Sequence, residues 1–148
     1  MAGCSKLDNL LENLWNVVSL EELDLSGIAL RKPPISIFCL RNLKVLSLMG
    51  CKLPLPRRNP NPVSLLLPLL PNLCSLTRLN LSNCDLQTIP NDIGCLSSLE
   101  DLNLSENSFD CLSKSIIQLS KFKIILLKNC TRLYSLPQLQ HQECFCRR

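Results

Sequence analysis

Leucine falls in a fixed frame along this chain. Leu99, Leu102, Leu104, Asn107 and Phe109 trace the form L-x-x-L-x-L-x-x-N-x-F. The frame recurs at Leu76, Leu79, Leu81, Cys84 and Leu86, and again at Leu43, Leu46, Leu48, Cys51 and Leu53. It recurs once more at Leu20, Leu23, Leu25, Ile28 and Leu30, and a degenerate copy runs from Phe122 through Ile125 and Leu127 to Cys130. The starts at 20, 43, 76, 99 and 122 are spaced 23, 33, 23 and 23 residues apart. A period of this size marks stacked supersecondary units, none of which can bury its apolar face alone.

Two periodicities alternate within each unit. In Leu102-Asn103-Leu104 the strict alternation predicts a short strand, its leucines on one side and Asn103 on the other. Ile37 and Leu40, Leu70 and Leu73, Ile93 and Leu96, and Ile116 and Leu119 stand six and three residues before the next frame, as Leu14 and Val17 do before Leu20. A three-residue spacing predicts a helical or 3-10 return segment. Pro34 and Pro90, nine residues before the next frame, suit the entry to that segment. The strands are expected to pair in parallel along one face of a coil, with the return segments on the other.

Residues 1–19 read as the tail of a partial unit, so the solenoid is expected over 1–137. The 33-residue interval holds ten extra residues, and a proline-rich insert at about 54–71 is expected as an exposed loop without regular structure. Its Arg57 and Arg58 are candidate contacts, because insertions in solenoids map to one face. After Pro137 the frame lapses. Residues 138–148 are expected to be irregular, and neither end shows a capping unit.

Composition narrows the picture. Leucine supplies 35 of 148 residues while aromatics are 4%, as when one core position is repeated many times. The net charge of +4 is scattered over Arg57, Arg58, Lys121, Lys123, Lys128, Arg147 and Arg148 without a basic stripe, so nucleic acid is not an expected partner. The run Val63–Leu70 is interrupted by Pro68 and is too short to span a membrane. Lys6, Asp8 and Glu12 spoil a signal-peptide core, and position 2 is Ala where myristoylation needs Gly. A cytoplasmic location is expected, with the nucleus as the second compartment.

Ten cysteines in a small secreted chain would suggest disulfides, but the register argues for free thiols. Cys51, Cys84 and Cys130 fill the slot of Asn107, Cys4 fits the same slot, and Cys39 and Cys95 share another. A cysteine recurring with the period has a packing address as a small hydrophobe. In the Asn107 slot a thiol is expected to keep the packing and give up the hydrogen bonds.

Little reaction chemistry survives inspection. His141, Cys144 and Cys146 lack a fourth zinc ligand and a framework, and no nucleophile stands beside a base. The four glycines make no G-x-x-x-x-G-K-[ST] phosphate loop. No catalytic residue, cofactor, metal or small-molecule substrate is expected. Sequons at Asn80, Asn103 and Asn129 arise largely from the Leu-Asn-Leu-Ser phrase of the repeat itself.

The frame is the leucine-rich-repeat signature, an α/β solenoid expected as a right-handed coil. The phrases Leu79-Asn-Leu-Ser-Asn-Cys84-Asp-Leu, Ile89-Pro-Asn-Asp-Ile-Gly-Cys95-Leu-Ser-Ser-Leu99 and Cys130-Thr-Arg-Leu-Tyr-Ser-Leu136-Pro137 go further. They resemble the repeat region of plant nucleotide-binding leucine-rich-repeat disease-resistance proteins, especially the class with an N-terminal TIR domain. The resemblance implies a sensor that also restrains an ATPase switch. Its partner is then a pathogen effector, a guarded host protein or the receptor's own nucleotide-binding domain. Without TIR and nucleotide-binding domains the chain reads as a fragment or truncated relative. An extracellular repeat receptor and a scaffold regulating an enzyme are the rival readings.

Recognition is expected from the outward side chains of the strands. These are Glu22, Asp24 and Ser26; Val45, Ser47 and Met49; Arg78, Asn80 and Ser82; Asp101, Asn103 and Ser105; Ile124, Leu126 and Lys128. Val45, Met49, Ile124 and Leu126 are the expected apolar anchors. Asn103 is expected to serve binding with little part in stability.

Overall fold

A computed structural model describes residues 19–28, 35–51, 67–89, 91–137 and 145–147, the last three and residues 67–68 by backbone alone. Among the described residues six three-residue strands form one parallel sheet in chain order: β1 (Glu22–Asp24), β2 (Val45–Ser47), β3 (Arg78–Asn80), β4 (Asp101–Asn103), β5 (Ile124–Leu126) and β6 (Phe145–Arg147). Return segments precede β2 to β5, all four of them 3-10 helices: η1 (Ile35–Cys39), η2 (Leu67–Asn72), η3 (Asn91–Cys95) and η4 (Lys114–Gln118). The register aligns Leu23, Leu46, Leu79, Leu102 and Ile125 across the sheet. Along the strands each of these residues therefore stacks on its counterpart in the next unit, and among the described residues the core is one continuous apolar column.

The walls of that column are those expected from the spacing. Leu99, Leu102, Leu104 and Phe109 are buried, and Ile37, Leu70, Ile93 and Ile116 close the side opposite the sheet. Gly94 allows a close approach on that side: a Cβ there would lie 2.5 Å from the Ser115 carbonyl oxygen. The 3-10 segments η3 and η4 thus stack backbone to backbone.

One slot of the repeat is left-handed throughout. Gly27, Gly50, Asn83, Glu106 and Asn129, each seven residues past a frame start, have φ of 70°, 70°, 54°, 60° and 57°. The first four also donate their backbone N–H to the next unit's turn, at Met49, Ser82, Ser105 and Lys128, over 2.7–2.9 Å. Glycine and asparagine tolerate that conformation; Glu106 holds it at a steric cost.

Two expectations are corrected. Residues 138–148 are not wholly irregular, because β6 pairs with β5 from Phe145 to Arg147. It begins 21 residues after β5, close to the period, and backbone pairing needs no leucine frame. The proline-rich insert ends earlier than expected, since Leu67–Asn72 is a 3-10 helix with Leu70 buried. Pro71 fits within it because so short a helix needs few N–H donors. Arg57, Arg58, Pro34, Pro90 and His141 lie outside the described residues, as do Cys4 and residues 1–18.

The cysteine slot departs from expectation in an informative way. Asn107, 2% exposed, donates from Nδ2 to the carbonyls of Leu81 (2.8 Å), Leu104 (2.8 Å) and Ser105 (3.3 Å). Its Oδ1 accepts from the N–H groups of Cys84 (3.1 Å) and Leu86 (3.0 Å). The thiols of Cys51, Cys84 and Cys130 point Sγ to the carbonyls of Leu25, Leu48 and Leu104 at 3.1, 3.0 and 3.3 Å. Leu25, Leu48, Leu81 and Leu104 are the same repeat position. Cysteine therefore keeps the donor that crosses between units, contrary to the expectation that it gives up the hydrogen bonds. Burial pushes the Cys51 thiol up from its ordinary value, which keeps it protonated and donating. None of the seven cysteines whose side chains are described is in a disulfide.

Candidate protein-binding face

The outward side chains of the strands fall in two rows fixed by the parallel register. Glu22, Val45, Arg78, Asp101 and Ile124 make the first, and Asp24, Ser47, Asn80, Asn103 and Leu126 the second. Between β2 and β5 these rows line a concavity of about 680 Å³ open on the strand face. It brings together Val45, Ser47, Arg78, Asn80, Asp101, Asn103, Ile124 and Leu126. Glu22, Asp24, Met49 and Lys128 do not line it; Glu22 and Asp24 are exposed on β1, with Met49 and Lys128 exposed in turns beyond β2 and β5.

The rows differ in what holds their side chains. Second-row groups are engaged in the turns that end the strands. Asn80 Oδ1 accepts from Ser82 N–H (3.1 Å) and Oγ (2.7 Å), and Asn103 Oδ1 accepts from Ser105 N–H (3.1 Å). Asp24 Oδ1 accepts from Ser26 N–H (2.8 Å) and from the Ser26 hydroxyl, which also meets Ser47 Oγ at 2.7 Å. The hydrogen bonds from Ser26 hold the Asp24 carboxyl below its ordinary value, so it is ionised at neutral pH. The row is thus part of the scaffold, and the expectation that Asn103 has little structural role is corrected. Ser82 and Ser105, expected to point outward, are buried instead because their hydroxyls are engaged in the turns: Ser82 Oγ bonds Asn80, and Ser105 Oγ accepts from Lys128 N–H at 3.2 Å.

First-row groups are held more loosely. Arg78 Nε stands 4.0 Å from Asp101 Oδ2, the two 67% and 39% exposed, a contact of small energetic weight. Val45 and Ile124 flank this pair half-buried, on β2 and β5. Beside the first row, Glu21 pairs with Lys44 at 2.8 Å and Glu100 with Lys123 at 2.7 Å, each bridging neighbouring units. The hydrogen bond and charge of Lys123 hold the Glu100 carboxyl below its ordinary value.

Among the described residues no group of three His, Cys, Asp or Glu side chains could hold a metal ion, and no helix is long and apolar enough to cross a membrane.

Comparison with known proteins agrees with this geometry. The Leucine Rich Repeat family model matches residues 75–96. TMV resistance protein N of Nicotiana glutinosa is 39% identical over 141 residues, covering 94% of this chain. The repeats are leucine-rich repeats, and over nearly its whole length the chain is similar to plant disease-resistance proteins. Disease resistance-like protein DSC1 of Arabidopsis thaliana is 37% identical over 142 residues, again 94% of the chain. The chain spans only 12% and 11% of the length of these two relatives. Among solved structures, one of the Toll–Spatzle complex of Drosophila matches with a TM-score of 0.65 at 23% identity, over 89% of this chain and 17% of that one. That likeness shows the fold. The leucine-rich-repeat solenoid is a protein-interaction scaffold, and the strand face is where this chain varies from unit to unit.

The expected face was legible because strand alternation alone fixes which side chains point outward. The turn bonds of Asp24, Asn80 and Asn103 were missed, although each has a serine two residues on. That Asx-serine spacing is the signal of a side chain bonding its own backbone.

Proposed function

We propose that this strand face is the recognition surface of the repeat region of a plant intracellular immune receptor of the TIR class. It binds a pathogen effector, a guarded host protein or the receptor's nucleotide-binding domain, and so couples sensing to restraint of the switch. The observation that carries the reading is the concavity across β2 to β5, where Val45, Arg78, Asp101 and Ile124 differ in chemistry but share one rigid register. Strands held in a fixed array lose little freedom on binding, which favours affinity. The relationship to disease-resistance proteins supports the setting, and the free thiols suit a reducing compartment.

The test is co-purification of the full chain with the nucleotide-binding region of a disease-resistance receptor, repeated with Ile124→Ala and Arg78→Ala. Retention that falls at least fivefold in both variants, with melting unchanged, is the expected result. Retention indifferent to both removes the strand face from the interaction. Glycan mass and disulfide-protected cysteines on protein made in plant cells would instead favour an extracellular receptor.

A further inference from the structure

The strand face has a polarity that runs across the sheet. Its β1 end carries two exposed carboxylates, Glu22 and Asp24. In the middle, Arg78 and Asp101 face each other across β3 and β4 and cancel. Val45, Ile124 and Leu126 line the apolar part of the concavity around that pair. In the turn that ends β5 stands the exposed Lys128. From β1 to β5 the face thus runs from acidic, through apolar and neutral, to basic.

We infer that the occupant of this face is an extended peptide segment of opposite polarity: basic residues at one end, a short apolar centre, and acidic residues at the other. The inference rests on the strand face being the binding surface. The geometry sets the spacing. Four strand-to-strand steps separate β1 from β5, about 19 Å at roughly 4.8 Å each. An extended chain advances about 3.3 Å per residue, so about six residues separate the basic contact at Glu22 and Asp24 from the acidic contact at Lys128. Opposed charges at the two ends fix orientation and register, while the apolar centre supplies most of the binding energy. A segment with the same charge at both ends meets repulsion at one of them.

The experiment uses the full chain and three end-blocked, fluorescein-labelled peptides. Each has five residues alternating leucine and threonine at its centre. The flanks are two lysines and two aspartates in the first, lysines at both ends in the second, and aspartates at both ends in the third. The mixed peptide is expected to bind at least fivefold more tightly than either control, with the advantage falling as salt rises. Lys128→Glu should shift the preference to the lysine-ended peptide, and Glu22→Lys to the aspartate-ended one. Equal binding of all three, no binding of any, or rankings unmoved by both substitutions overturns the inference. Binding that is indifferent to end charge but lost in Ile124→Ala overturns the polarity and leaves the binding face standing. Binding unchanged in both Ile124→Ala and Val45→Ala overturns the binding face as well.

Discussion

The two sides of the same strands follow opposite rules. Inside, Leu23, Leu46, Leu79, Leu102 and Ile125 meet their counterparts in register, and four of the five are leucine. Outside, one residue earlier in each strand, Glu22, Val45, Arg78, Asp101 and Ile124 have little in common. Parallel stacking demands uniformity of the buried row, because each side chain fills the space left by the one before it. It places no such demand on the exposed row, which is therefore open to recognition. The second outward row lies between these limits: Asp24, Asn80 and Asn103 face solvent, yet each closes a turn.

The inner row should break first. Leu102 is 1% exposed, so Leu102→Asp places a carboxylate in the apolar column. A loss of about 4 kcal/mol or more is expected, read as the collapse of cooperative urea unfolding.

Asn107 tests whether the corner slot works by packing or by bonding. Asn107→Ala strands the N–H groups of Cys84 and Leu86 and should cost about 2–4 kcal/mol in urea unfolding. Asn107→Cys should cost less, because the thiol can restore the bond to the Leu81 carbonyl. Equal losses in the two variants would mean that the thiol donors at Cys51 and Cys84 add nothing.

The stacked return segments give the next effect. Gly94→Ala forces a methyl against the Ser115 carbonyl oxygen and should cost about 1–3 kcal/mol, visible as a lowered thermal midpoint. At the opposite face of the coil, Asn103→Ala should cost about 1 kcal/mol through the lost turn bond. A neutral result there would return the second row to recognition alone.

The smallest effect concerns the ion pairs at the edge of the face. The Glu100 carboxyl lies below its ordinary value beside Lys123. Its contribution is complete above the unfolded-state value and is lost as pH falls through the lower folded-state value. Glu100→Gln should therefore flatten the acid limb of a melting-temperature titration slightly, and added salt should do the same to the unaltered chain.

Most of the fold was readable because the repeat states its own register five times. The strand at Leu102 followed from alternation, and the 3-10 helices followed from pairs such as Ile93 and Leu96. Three features were harder for physical reasons. The strand Phe145–Arg147 carries no leucine frame, and backbone pairing leaves no side-chain pattern. The left-handed slot was partly visible in Gly27, Gly50, Asn83 and Asn129, but Glu106 hides it, since glutamate gives no hint of a φ of 60°. Glu106→Gly should therefore be tolerated or slightly stabilising. The thiol donors of Cys51, Cys84 and Cys130 depend on a backbone carbonyl in another unit, which the local sequence around each cysteine does not reveal.

Ile124 and Ile125 are adjacent and identical, so they isolate the central claim from composition. Ile125 is 0% exposed in the apolar column, whereas Ile124 lines the open concavity beside Asp101. Thermal melts of Ile124→Lys and Ile125→Lys, run side by side, measure the difference directly. Ile125→Lys is expected to abolish the cooperative transition and Ile124→Lys to move it by only a few degrees. Equal damage from both, or the reverse order, would contradict the register and with it the assignment of the outward face.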